Sequence, residues 1–258
     1  MPPEQPLADS ELPAIEIINL VKQFRILHTG SIKGALSRLL KPQRVEEFTA
    51  LKDISFTVPH GQTLAIIGRN GSGKSTMLGI LARVYRATSG TVRLNGPGGR
   101  PARIAPLLEL GAGFQPDLTG YQNVQFYGAV LGMNGRQIRD RMDSIEEFAE
   151  LKDKMDTQMH GWNDGAKLRL GFSIAIHIDP DILLVDEVLA VGDESFQNKC
   201  YRKIAELQEH GKTIVFVSHD LPVVERVANR VLWLNNGIIM QDGDPATVLT
   251  AYRATSAE

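Results

Sequence analysis

The run IIGRNGSGKST (66–76) places Gly68-x-x-x-x-Gly73-Lys74-Ser75 directly after an apolar stretch. That is the spacing of a phosphate cradle, in which glycines let backbone N–H groups turn inward around an anion. A helix starting there adds its positive end. Lys74 is placed to reach the β- and γ-phosphates of a nucleotide and Ser75 to ligate Mg²⁺. Arg69, Asn70, Gly71, Ser72 and Thr76 complete the loop around them. A second run, ILLVDE (182–187), ends four apolar residues in two carboxylates. Asp186 suits a water-mediated hold on Mg²⁺, and Glu187 suits a general base or a water-positioning group. A third run, TIVFVSHD (213–220), puts His219 at the end of another apolar stretch, where it could sense the γ-phosphate. Singly, each has a plain alternative: an empty glycine turn, two surface carboxylates, a structural histidine. Together they favour one site, because strand ends of a parallel sheet gather at one edge, where ligands bind.

That convergence requires parallel strands separated by helices. AIEIINLV (14–21) alternates like a strand, and KDISFTV (52–58) and TLAIIG (63–68) follow, the last continuously apolar and so buried on both faces. TVRLN (91–95) and ARIAPLLEL (102–110) read as further short strands. From about Asp117 to Ile178 the pattern is helical, with candidate helices over 119–132, 134–151 and 164–178. Asn163 and Asp164 are possible N-caps of the third. After ILLVDE come a helix near 195–209, the strand TIVFVSH and a helix near 221–228. The hairpin RVLWLNNGIIMQDG (230–243) then turns at Asn236-Gly237. Strands alternating with helices imply an α/β fold with a mostly parallel central sheet and an inserted helical subdomain.

Between the first two strands, Ile32, Ala35, Leu36, Leu39 and Leu40 fall at helical spacing among Lys33, Arg38, Lys41 and Arg44. Pro42 would stop that helix. Such a basic amphipathic segment either lies near a membrane interface or docks on its own domain with a solvated basic face. Net charge is −2 and the pI about 6.3, which leaves no electrostatic footprint for nucleic acid. No run of 18 apolar residues exists, so no membrane span is expected. A single cysteine, Cys200, fits a reducing compartment. The polar, Pro-rich start lacks the regions of a signal peptide, and residues 1–13 read as a disordered lead-in.

In this order and spacing, the motifs resemble the nucleotide-binding subunit of an ABC transporter over about residues 14–250, with a 251–258 tail. The resemblance implies ATP and Mg²⁺ sandwiched in a head-to-tail homodimer. One subunit brings the phosphate loop, Asp186, Glu187 and His219; the other brings a signature turn in trans. It implies Phe24 as the aromatic stacked on adenine, with core packing as its alternative, and Asp193, in LAVGDE, in the loop that crosses the dimer. It places the helical subdomain at about 117–178 and an insertion at about 25–48. LLELGAGFQPDLTGYQNV and DEVLAVGD are closer still to the subgroup exporting O-antigen, capsule or teichoic-acid polymers, in its short form without a C-terminal carbohydrate-binding domain. The implied partners are two copies of a separate permease, at the cytoplasmic face of the inner membrane, with only peripheral membrane contact. Tyr121, Phe126 and Tyr127 would line the permease groove or pack in the core.

Two departures stand out. The family carries a Gln as a Mg²⁺ ligand where this chain reads Leu108, Glu109, Leu110, with Gln115 nearby. Glu109 would serve, since hard cations accept carboxylate oxygen. The signature Leu-Ser-Gly-Gly-Gln is replaced by Trp162, Asn163, Asp164, Gly165 and Ala166. Asn163 can donate as a Ser would, but Asp164 brings negative charge toward a triphosphate. The turn is therefore either a working trans site or a capped helix at a degenerate one. The corresponding alternatives are a low-turnover nucleotide switch, or an ATPase serving a drug or lipid exporter.

Overall fold

The computed structural model describes residues 12–27, 45–108, 113–186 and 193–256. The basic segment 32–44, Glu109 and Glu187 lie outside the described residues, as does most of the 1–13 lead-in. Strand β1 (Ile15–Leu27) pairs antiparallel with β2 (Val45–Val58), and β4 (Ser89–Leu94) adds to the other side of β1. Both long strands outrun the sequence expectation. The proposed 25–48 insertion begins and ends inside them, because Phe24 finds a register partner in Phe48 and Leu27 in Val45. Paired backbone groups are cheaper than open ones. A cross-strand ion pair, Arg25 to Glu47 at 3.2 Å, lies in the same stretch.

The main sheet comprises β3 (Thr63–Ile67), β5 (Ile104–Leu107), β6 (Ile182–Asp186), β7 (Thr213–Val217), β8 (Arg230–Asn235) and β9 (Ile238–Gly243), in the order β5-β6-β7-β3-β8-β9. All neighbours are parallel except the β8–β9 hairpin. That hairpin turns at Asn236 and Gly237, both at positive φ, as a two-residue primed turn requires. Strand β5 is shorter than the 102–110 expected of it.

Helix α1 (Lys74–Leu81) follows β3, and α2 (Gly120–Val130), α3 (Gly135–Ala149) and α4 (Asp164–Ile176) form the helical middle. Capping boxes at Thr119/Gln122 and Asn134/Gln137 start α2 and α3. Helices α5 (Glu194–Glu209), α6 (Leu221–Val227) and α7 (Pro245–Ser256) complete the described chain. The tail expected at 251–258 begins inside α7. Buried Val248 and Leu249, and Tyr252 edge-on to Trp233 at 5.4 Å, hold that helix to the sheet.

Alternation along the strands splits the core in two. On one face of the sheet Leu64, Ile66, Ile182 and Leu184 pack with Met77 and Leu78 of α1 and with the antiparallel sheet. On the other, Ala65, Ile67, Leu183 and Val185 pack with the helical middle and α5. Burial on both faces is why these strands read as unbroken apolar runs. No helix among the described residues is long and apolar enough to cross a membrane.

Candidate nucleotide site

The loop between β3 and α1 is shaped by close backbone approaches. A Cβ at Gly68 would sit 2.1 Å from the Leu234 carbonyl oxygen, and one at Gly73 2.8 Å from that of Ala50. Gly73 also takes a φ of 109° as the N-cap of α1, a conformation only glycine adopts cheaply. No side chain caps this helix and its first turn has no acid, so its leading N–H groups are suited to an anion. Lys74 is buried, and its ammonium donates to the carbonyls of Gly68 at 2.8 Å and Arg69 at 3.1 Å. It is thus held over the loop it is expected to serve.

A cavity of about 490 Å³ opens here, lined by residues 70–71 and 73–76 of the loop and by Asp186. The parallel register that sets Asp186 beside Val217 of β7 brings the carboxylate to the edge where β3 delivers the loop. Ser75 and Asp186 line one cavity and offer a hydroxyl and a carboxylate, hard oxygen donors that fit Mg²⁺. His219 is exposed two residues beyond β7, at the same edge but not in the cavity lining. The expected ligand Glu109 and the expected base Glu187 lie outside the described residues. Gln115 is clamped through its backbone: its N–H donates to the Asn123 amide oxygen at 2.8 Å, and its carbonyl accepts from the Asn123 amide at 3.0 Å.

The aromatic at the cavity is Phe48, 51% exposed, with Ala50 beside it on β2. Phe24, expected there, is opposite Phe48 in the ladder but packs edge-on against Tyr85 at 5.5 Å, with the Lys22 ammonium 4.6 Å from its ring centre. Tyr85 and Lys22 satisfy that ring, whereas Phe48 has an open face. Nothing local in the sequence distinguishes Phe48; its pairing with Phe24 depends on hairpin register.

The signature-like turn lies apart from this cavity. Asn163 is the N-cap of α4, its amide oxygen accepting from the Ala166 N–H at 2.8 Å. Trp162 is buried and donates its indole N–H to the Thr157 hydroxyl at 2.9 Å. The Asp164 side chain is 95% exposed, 3.7 Å from the Lys167 ammonium. Asn163, Gly165 and Asp193 line a second cavity, of about 390 Å³. Asp193 caps α5 through the Phe196 N–H at 3.0 Å and also accepts from Arg169. The Phe196 N–H, helped by the Arg169 charge and opposed by partial burial, holds the Asp193 carboxyl below the usual carboxylate range. Cys200 plays no part: burial pushes its thiol up to about 12, which leaves it inert.

A parallel sheet, a phosphate loop and a strand-end carboxylate sharing one cavity define a P-loop nucleotide-binding domain with an inserted helical subdomain. The chain belongs to the ABC transporter family, whose model matches residues 51–190. It is 40% identical over 252 residues to the O-antigen export system ATP-binding protein RfbB of Klebsiella pneumoniae, covering 95% of this chain and 99% of that one. It is 42% identical over 248 residues to the protein of that name from Myxococcus xanthus, where it spans 55% of the relative's length. To the teichoic acids export ATP-binding protein TagH of Listeria innocua it is 40% identical over 224 residues, covering 87% of this chain and 64% of that one. Among solved structures, a dimeric ATP-binding cassette bound to ADP and Pi superposes with a TM-score of 0.72 over 90% of this chain and 98% of that one. At 23% identity that likeness establishes the fold. Family membership makes the chain an ATP-binding, ATP-hydrolysing subunit of a transporter.

Proposed function

We propose that this chain powers export of a lipid-linked polysaccharide through a separate membrane permease, as a homodimer bound to two permease chains at the cytoplasmic face of the inner membrane. The observation that carries the ATPase half is the single cavity shared by Lys74, Ser75 and Asp186. The similarity to O-antigen and teichoic-acid export proteins supports the substrate class. Lys74 and the leading N–H groups of α1 bind the phosphates and oppose the charge that grows in the transition state. Ser75 and Asp186 would hold Mg²⁺, which supplies further charge neutralisation when bound. Glu187 orients and deprotonates the attacking water, and His219 contacts the γ-phosphate. Phe48 offers the platform for adenine. Asn163, Gly165 and Asp193 act on the partner's nucleotide; their placement in a cavity separate from the phosphate loop supports a role in trans.

A second reading, a low-turnover switch, is favoured by one observation: the Asp164 carboxylate, 95% exposed in the first turn of α4, brings negative charge to the surface that would meet the partner's triphosphate. ATPase assay of the purified complex with its permease separates the two. Turnover well above background, abolished by Glu187→Gln, supports the motor. A parent rate equal to background leaves only the switch.

A further inference from the structure

Three helices of the trans half meet at one arginine. Arg169, in the second turn of α4, is 19% exposed. One guanidinium nitrogen donates to Glu150 at 3.3 Å, another donates to Asp193, and the planar group lies 4.8 Å from the centre of the Phe196 ring. Each partner is itself committed. Glu150 is the left-handed C-cap of α3, and its second oxygen accepts from Lys199 of α5 at 3.0 Å. Lys199 also donates to the Phe148 carbonyl at the end of α3, at 2.9 Å. Asp193 uses its other oxygen to cap α5. Glu150, Arg169 and Asp193 line the second cavity beside Asn163 and Gly165, and none of them lines the phosphate-loop cavity.

We propose that Arg169 is a positioning residue for hydrolysis: it locks the turn at Asp193 to the N-terminus of α4, so that Asn163, Gly165 and Asp193 meet the partner's nucleotide as one rigid unit, with Glu150 tying that unit to the helical subdomain. The proposal rests on the reading that these residues act in trans. The chemistry demands arginine. Only a planar fork reaches two carboxylates from separate nitrogens while its face stacks on a ring; a lysine ammonium keeps the charge and loses that geometry. Because a misplacement of about 1 Å at a reacting centre can cost about 100-fold in rate, loosening this hub should appear in turnover and not in nucleotide affinity.

The experiment uses the full complex with its permease. Arg169→Lys and Arg169→Met should both lower kcat by about 10- to 100-fold, leaving KM for ATP near the parental value, and lysine should not rescue. Glu150→Gln, on a half-exposed arm, should lower kcat by less and add little on top of Arg169→Lys, since coupled residues are non-additive. Parental kcat in Arg169→Lys overturns the hub, as does a rise in KM with kcat unchanged. If the Arg169 variants fail to fold, Glu150→Gln decides: reduced kcat supports the hub and parental kcat overturns it. Mixed dimers test the trans reading separately. With Lys74→Ala and Arg169→Lys in different protomers one intact site remains; with both in one protomer none does. Equal rates for the two arrangements overturn the trans assignment.

Discussion

Replacing Phe48 by alanine tests the base platform directly. The ring is 51% exposed on β2 and lines the cavity that also holds Lys74 and Asp186. Base–aromatic stacking is worth about 1–3 kcal/mol by alanine substitution, so Phe48→Ala should raise the Kd for ATP by about 5- to 150-fold. Half the ring is already in water. Full burial of such a side chain is worth about 1.5–3 kcal/mol, so the fold should lose only about 1 kcal/mol. Phe24→Ala is the internal control: its ring packs on Tyr85 and beneath Lys22, and its removal should cost stability while changing Kd little. Titration with a fluorescent ATP analogue gives the affinities, and thermal melts without nucleotide give the stabilities. Base-driven loss should be absent for inorganic triphosphate, which has no adenine to stack. Unchanged Kd in Phe48→Ala with weakened binding in Phe24→Ala would refute the assignment and restore Phe24 to the adenine.

Two further outcomes follow from the same geometry. Changing Asn163-Asp164 to Ser-Ser keeps an N-cap on α4 and removes a carboxylate that is 95% exposed beside the trans surface. ATPase turnover of the permease complex should rise a few-fold, and an equal or lower rate would show that the native pair is adapted to this site. At the far end of β6, the Asp181 carboxylate is 7% exposed and accepts two Arg100 bonds at 2.7 Å and the Arg103 N–H at 2.8 Å. Burial opposes its ionisation, but those donors outweigh burial and hold its pKa below the usual carboxylate value. The stabilisation is therefore complete above pH of about 3.9 and is lost as pH falls through the lower, folded-state value. Asp181→Asn should cost about 1–3 kcal/mol in urea unfolding at pH 7, with the gap to the parent narrowing below pH 4. A gap of the same size at pH 3 contradicts the linkage.

Much of the fold was legible because its signals are local. The apolar runs at 63–67, 182–186 and 213–217 became the three central parallel strands, and the Asn236-Gly237 pair became the hairpin turn. Helix α4 begins at the cap that Asn163 advertised. What stayed hidden depends on packing between distant segments. The first two strands extend to Leu27 and back from Val45, because ladder partners, not intrinsic preference, carry them that far. The residues after 250 carry no local signal of a packed helix, since Tyr252 gains its meaning only against Trp233 of β8.

The sequence by itself determined the phosphate loop, the carboxylate at the end of β6 and the parallel sheet that aligns them. Those features are written in contiguous residues whose backbone geometry follows from glycine placement and from burial on both faces. Only the tertiary structure decided which of two facing phenylalanines turns to the cavity, because that choice depends on the packing of Tyr85 and Lys22 against one of them. It alone brought Glu150, Arg169 and Asp193 to one point. Glu150 ends one helix, Arg169 lies within a second and Asp193 caps a third; no local pattern marks Glu150 or Arg169, and helix packing sets their distance from Asp193.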